Sequence, residues 1–184
     1  MVFCQSLDML FLVLMSDYIL RRAEKGQEGL CWRILEEGRA FQRAQGFVQW
    51  DDRYPLRKDV EADIDSGTGW LLFINSDAAA YVCIDPGPEP AYDRISGSWH
   101  TGEPYVVIRR ISFSSSFAGK GLARILFSLI DRTCAENGWR NIRLNTAKEN
   151  RRMQNAVLAA GYSCCGTVLM RGIERIAYDR KLSF

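Results

Sequence analysis

The stretch Ile111-Ser112-Phe113-Ser114-Ser115-Ser116-Phe117-Ala118-Gly119-Lys120-Gly121-Leu122-Ala123 decides the fold. An apolar run ends at Phe113, a loop of mostly small residues follows, and at Leu122 the loop opens into an amphipathic helix. The first N–H groups of a helix have no intrahelical acceptor, and its dipole favours negative charge there. A strand, a glycine loop and a helix start therefore make a ready site for a diphosphate. Gly119 and Gly121 have no Cβ, so the backbone can approach a ligand closely. A lone G-x-G also fits an ordinary strand-to-helix turn. Two better-known phosphate loops are excluded. A Walker loop needs Gly at 114 and Ser or Thr at 121, where this chain has Ser114 and Gly121; a dinucleotide fingerprint needs Gly at 124, which is Arg124.

Outward from this loop, the downstream helix carries Leu122, Ile125, Leu126, Leu129, Ile130 and Cys134 on one face. Asn141 to Thr146 alternates as a strand, and Asn150 to Ala160 reads as a helix with Met153, Ala156, Val157 and Ala160 on one side. Strands at 162–170 and 173–181 follow. Upstream, Tyr18 to Ala23 is a strand, residues 27–45 a helix with a stripe at Cys31, Ile34, Leu35 and Gly38, and residues 56–65 a shorter helix. Trp70 to Ile74 and Ala79 to Ile84 are strands around the turn Asn75-Ser76-Asp77. A loop runs from Pro86 to about Pro104, before a strand from Tyr105 to Phe113. The order β-α-α-β-β-β-α-β-α-β-β predicts an α/β (α+β) sheet with helices on its faces.

At 184 residues the chain suits one domain of ordinary size, over residues 15–184. A net charge of +2 and the lack of a basic run give no reason to expect nucleic acid or an anionic membrane surface. The six cysteines show no C-x-x-C spacing and there is one histidine, so no metal site is expected; thiols in a reduced cytoplasm are the plainer reading. Residues 1–14 form an apolar extension. Met9 to Met15 is too short to span a membrane and lacks the flanks of a secretion signal. The extension either lies upstream of the true reading frame or covers the fold.

The element order, with Gly119-Lys-Gly-Leu-Ala followed by Asn150-Arg-Arg-Met-Gln-Asn-Ala-Val-Leu-Ala-Ala-Gly-Tyr, resembles the GNAT superfamily of acetyl-CoA-dependent N-acetyltransferases over about residues 18–184. The segment Gln49-Trp-Asp-Asp-Arg-Tyr-Pro resembles a group of small bacterial members. The resemblance implies a single domain with a mixed, mostly antiparallel sheet of about seven strands, whose central strands 105–113 and 142–146 splay apart. It implies acetyl-CoA as acyl donor, an unidentified amine acceptor, a cytoplasmic location and, as a further expectation, a homodimer.

Under that resemblance, Ile111, Ser112 and Phe113 line the pantetheine arm, with main-chain hydrogen bonds from Ile111 and Phe113. Backbone N–H groups along Phe117, Ala118, Gly119, Lys120, Gly121 and Leu122 hold the diphosphate, Ala123 is a further cofactor-binding residue, and Asn150 reaches the pantetheine from the other wall. Lys120 and Arg151 either meet the adenosine phosphate or are solvated surface charge. Trp50, Tyr54 and Trp99 either wall an acceptor pocket or belong to the core.

The chemistry implied is direct attack of a neutral amine on the thioester, helped by a base and by backbone N–H groups near Phe113. Glu103 is the candidate base, against a plain surface carboxylate; His100 is either a proton carrier or incidental. The sequence departs from the family at Ser116, where Gln or Arg is usual, and at Val157, where many members carry a Tyr that protonates the leaving thiolate. The rival readings are a non-catalytic acyl-CoA-binding or regulatory module and a structural domain without ligand.

Overall fold

The central strands are apolar on both faces, and this forces helices onto both sides of the sheet. The computed structural model describes residues 18–183, and the extension expected over residues 1–14 lies outside them. One sheet of eight strands is built from β1 (Tyr18–Arg22), β2 (Gly69–Ile74), β3 (Asp77–Asp85), β4 (Ser96–Gly97), β5 (Val106–Phe113), β6 (Asn141–Ala147), β7 (Ser163–Met170) and β8 (Ile173–Lys181). Their spatial order is β1-β2-β3-β5-β6-β8-β7-β4. Every pairing is antiparallel except β5 with β6. Among the described residues there are four α-helices: α1 (Glu28–Ala44), α2 (Arg57–Asp65), α3 (Leu122–Glu136) and α4 (Arg151–Ala159).

Alternation along β2 shows how the layers form. Trp70 and Leu72 join one core cluster, packed by Leu126 and Ile130 of α3 and Val157 of α4. Leu71 and Phe73 point the other way, onto Ile34 and Leu35 of α1 and Val60 and Ile64 of α2. A third cluster, around Tyr92, Tyr105 and Val168, covers the sheet near β7. The helical stripes read in the sequence are therefore the buried faces.

The expected count of seven strands is corrected to eight. The Pro86–Pro104 loop contains a 3-10 helix, Pro90–Arg94, and the two-residue strand β4, which pairs with β7 through Gly97 opposite Gly166. A Cβ on Gly97 would lie 2.1 Å from the Cys165 carbonyl oxygen, and one on Gly166 would lie 2.1 Å from that of Ser96. The contact exists because both residues are glycine, and two residues carry no periodicity to read.

Candidate active site

The parallel pairing of β5 and β6 runs only from Val106 opposite Ile142 to Ile108 opposite Leu144. Beyond it the strands part, as expected for 105–113 and 142–146. At this point β5 carries a bulge: its register against β3 shifts between Tyr81 and Cys83, and Arg110 takes a left-handed φ of 53°. The bulge sends two consecutive side chains to one face. Arg109 pairs there with Asp85 at 3.0 Å and with Glu89, while Arg110 Nε donates to Asp63 at 2.8 Å. Ser114 N–H donates to the Ala79 carbonyl at 2.9 Å, so Ser112 and Ser114 turn their backbone groups towards β3. Ile111 and Phe113, alternating with them, turn theirs into the gap.

The glycine loop follows. Gly119 (φ 78°) and Gly121 (φ 73°) are both left-handed, and a Cβ on either would meet nothing within 4 Å. Their glycine requirement comes from backbone conformation rather than crowding by the chain. The loop consumes some donors itself: Phe117 and Ala118 N–H bond to the Ser114 carbonyl, and Lys120 N–H to that of Phe117. Among the described residues, the N–H groups of Gly119, Gly121, Leu122 and Ala123 have no acceptor, and they surround the start of α3. The expected donor set is thus narrowed, because a turn at 114–118 spends part of it. Helix α1 anchors that turn through Glu37 Oε2, which accepts Ser115 N–H at 2.6 Å. Partial burial opposes the Glu37 charge, but hydrogen bonds from Ser115 and Ser114 outweigh it and lower its pKa.

A cleft of about 210 Å3 lies against this loop, between Ile111, Phe113 and Phe117 on one side and Met153 and Ala156 of α4 on the other. A smaller chamber of about 60 Å3 adjoins it, sharing Gln42, Trp50, Ile111, Asn150 and Met153. The small chamber is polar and basic, lined by Arg109, Arg110, Arg171 and Arg175 with Asn145 and Thr146. No carboxylate or histidine lines either space among the described residues.

The cleft gathers Ile111, Ser112, Phe113, Phe117, Ala118, Gly119, Gly121, Leu122, Ala123 and Asn150, as the sequence suggested. Trp50 borders both spaces while belonging to the core beside α1, and Tyr54 lines the small one. The Ser112 hydroxyl faces α1 and donates to the Ile34 carbonyl at 2.7 Å. Asn150 caps α4 by accepting Met153 N–H at 3.1 Å, and its amide donates to Gln49 Oε1 at 3.3 Å.

Six residues named from the sequence stand away from the cleft and the chamber. Lys120 lies 5.3 Å above the Phe117 ring and is exposed. Arg151 bonds Gln154 on α4; its neighbour Arg152 lines the cleft, because Arg152 and Ala156 share a helix face. Trp99 packs tilted against Tyr92, ring centroids 4.9 Å apart, beside the third core cluster, with its ring N–H on the Tyr92 carbonyl. Glu103 precedes the opposite end of β5, on the order of 20 Å along the strand from the splay. Val157 is fully buried between α4 and the sheet and borders neither space; Met153 and Ala156 face the cleft instead. His100 belongs to another cluster, with Nδ1 3.0 Å from Asp179 and 3.4 Å from the Cys165 thiol.

Several site residues escaped the sequence reading. Gln42 continues the buried stripe of α1 as a polar residue, Phe41 flanks that stripe and is exposed, and Phe47 lies just past the helix end, yet all three border the cleft. Arg110 and Asp63 form a buried pair 47 residues apart, with the Tyr81 hydroxyl donating to Asp63 at 2.6 Å. Only the bulge brings them together.

Residues 30–162 match the family model described as the acetyltransferase (GNAT) family. No curated protein is significantly similar in sequence. Among solved structures, a GNAT family acetyltransferase from Streptococcus agalactiae 2603 shares 30% identity with a TM-score of 0.82, covering 91% of this chain and 96% of that one. A GNAT family acetyltransferase from Listeria monocytogenes 4b F2365 has 18% identity and a TM-score of 0.72, covering 90% and 95%. The fold also matches yncA from Salmonella typhimurium, solved with its cofactor acetyl-CoA, at 13% identity and a TM-score of 0.62, covering 91% and 95%.

Proposed function

The chain belongs to the acetyltransferase (GNAT) family, and we propose that it is an N-acetyltransferase that moves an acetyl group from acetyl-CoA to the primary amine of a small molecule. The observation that carries this reading is the alignment of three features along one cleft: unpaired N–H groups at the start of α3, the backbone edge of Ile111 and Phe113, and the polar chamber beyond them. The diphosphate sits on Gly119, Gly121, Leu122 and Ala123, and the amide-rich arm follows the edge of β5. Arg152, rather than Lys120 or Arg151, meets the adenosine end. The segment Gln49–Pro55 supports membership in the small bacterial group, because Gln49, Trp50 and Tyr54 all border the acceptor chamber.

The amine attacks the thioester carbonyl directly, and a backbone N–H of β5 polarises that carbonyl. No carboxylate base lines the chamber among the described residues. Its arginines disfavour an ammonium ion, so the amine enters neutral and its surplus proton leaves through water. Tyr54 protonates the departing thiolate and regains its proton from water, which has taken up the one the amine lost. Arg110 Nη1 donates to the Tyr54 oxygen at 2.5 Å, which leaves the hydroxyl proton free to be given elsewhere. Asp63, paired with Arg110, holds that donor in place.

Calorimetry with acetyl-CoA, joined to a thiol-release assay over a panel of amines, tests the proposal. Binding with acetyl transfer to at least one amine supports it. Binding without transfer to any amine supports the rival, a non-catalytic acyl-CoA-binding module.

A further inference from the structure

The small chamber holds more positive charge than the fold neutralises. Arg109 is matched by Asp85 and Glu89, and Arg110 by Asp63. Arg171 and Arg175 have no carboxylate within ion-pair distance among the described residues. Arg175 is only 6% exposed; its Nη2 donates to the Gln49 carbonyl at 2.9 Å, and its buried Nε has no partner. A buried guanidinium without a counter-charge is costly, and an unmet buried donor adds to that cost. Burial, and after it the charge of Arg171, holds the Arg175 pKa below the usual arginine value.

Arg171 provides a second, independent sign. It opens the two-residue turn between β7 and β8, where Met170 pairs with Ile173. Both turn residues are left-handed, Arg171 at φ 50° and Gly172 at φ 78°. Such a turn favours Asn or Gly at its first position, so a long cationic side chain there breaks the local rule. Its guanidinium lies 3.4 Å from the centroid of the Tyr54 ring, at the mouth of the chamber.

We propose that the acceptor is a small amine that also carries an oxyanion, a carboxylate or a phosphate, which Arg175 and Arg171 hold while the amino group faces the gap between β5 and β6. This rests on the acetyltransferase reading for the amine and on the chamber's own charge for the anion. Arginine suits the task because its planar fork binds an oxyanion through two parallel hydrogen bonds. The oxyanion would meet the two uncompensated charges together.

The experiment uses matched amines with and without the anionic group: tyrosine against tyramine, histidine against histamine, and phosphoethanolamine against ethanolamine. Binding is measured by calorimetry on the CoA-loaded protein, and transfer by thiol release. The anionic member of at least one pair should bind at least tenfold more tightly than its partner. The carboxylate and phosphate arms identify which oxyanion is taken. Arg175→Gln should collapse that ratio towards one; because Arg175 is buried, the exposed Arg171→Gln serves as a second variant and should reduce the ratio several-fold in a folded protein. Equal or weaker binding of every anionic member overturns the proposal even if neutral amines are acetylated. A preference for the anion in binding, without transfer to any amine, supports the anion site and overturns the catalytic reading.

Discussion

A Cβ on Gly38 would lie 2.1 Å from the Ser112 hydroxyl oxygen, so helix α1 crosses β5 as closely as two backbones with one intervening hydroxyl permit. That hydroxyl is itself spent on the Ile34 carbonyl, which ties the helix to the strand that borders the cleft. Gly38→Ala gains helix propensity of about 1 kcal/mol. It must also displace the hydroxyl and orphan a buried polar group, at about 1–3 kcal/mol. The expected result is a net loss of about 1 kcal/mol and a melting temperature lower by roughly 2–4 °C. In the double variant Gly38→Ala with Ser112→Ala the 2.1 Å overlap is gone, leaving the Ser112 Cβ at 3.1 Å and the Trp50 ring at 3.3 Å, and thermal melts should show part of the loss recovered.

The glycine loop separates conformation from space. Because a Cβ at Gly119 or Gly121 would meet no atom within 4 Å, substitutions there should leave the protein folded. The left-handed backbone will still resist a side chain, at about 1 kcal/mol per position. Gly121→Val should therefore weaken CoA binding by tenfold or more in calorimetry, with only a few degrees' change in melting. Unchanged affinity in a folded variant would move the diphosphate elsewhere.

Tyr54→Phe keeps the ring on which Arg171 rests and removes only the hydroxyl. Aligned general acids contribute about 10²–10⁴-fold, so turnover should fall by about 10–100-fold while CoA affinity stays the same. An unaltered turnover would assign thiolate protonation to water.

Val157→Tyr tests the placement of the proton donor from the other direction. In the family pattern a Tyr at this position faces the thiolate, but here Val157 is fully buried within the first core cluster. Overpacking such a site costs typically 1–3 kcal/mol. Scanning calorimetry should show a clear fall in melting temperature, and turnover should gain nothing.

The turn that precedes the glycine loop should respond to acid. Glu37 has a lowered pKa in the folded protein, because hydrogen bonds from Ser115 and Ser114 outweigh its partial burial. A depressed carboxylate stabilises the fold above its unfolded value and loses that effect as pH falls through the folded value. CoA affinity should thus hold steady at neutral pH and weaken below about pH 4.5, the ordinary glutamate value. Glu37→Gln should flatten that acid dependence; an identical profile would detach the turn from Glu37.

The sequence revealed whatever is periodic or local. The stripes of α1, α3 and α4 and the glycine loop follow from spacing within one segment, and the resemblance supplied the splay of β5 from β6. The rest depends on residues far apart in the chain. Arg110 reads as an ordinary strand position until the bulge turns it onto Asp63. Arg171 and Arg175 belong to a hairpin whose alternation says nothing of the chamber it closes. Glu103 reads as a base or a surface carboxylate because it lies just ahead of β5, and Trp99 reads as pocket wall or core. The strand instead enters the sheet at the end remote from the splay, and Trp99 finds its partner in Tyr92.

The gap between β5 and β6 also bears on how long the molecule survives. It leaves main-chain groups of Ile111 and Phe113 unpaired within the sheet, to be satisfied by a ligand lying between the strands as a further strand would. A ligand that binds only the folded state stabilises it by about 2.7 kcal/mol at a hundred times its Kd. The supply of acyl donor thereby becomes a variable in the chain's resistance to unfolding and to proteases. Starvation for that metabolite would shorten the lifetime of the enzyme as well as idle it.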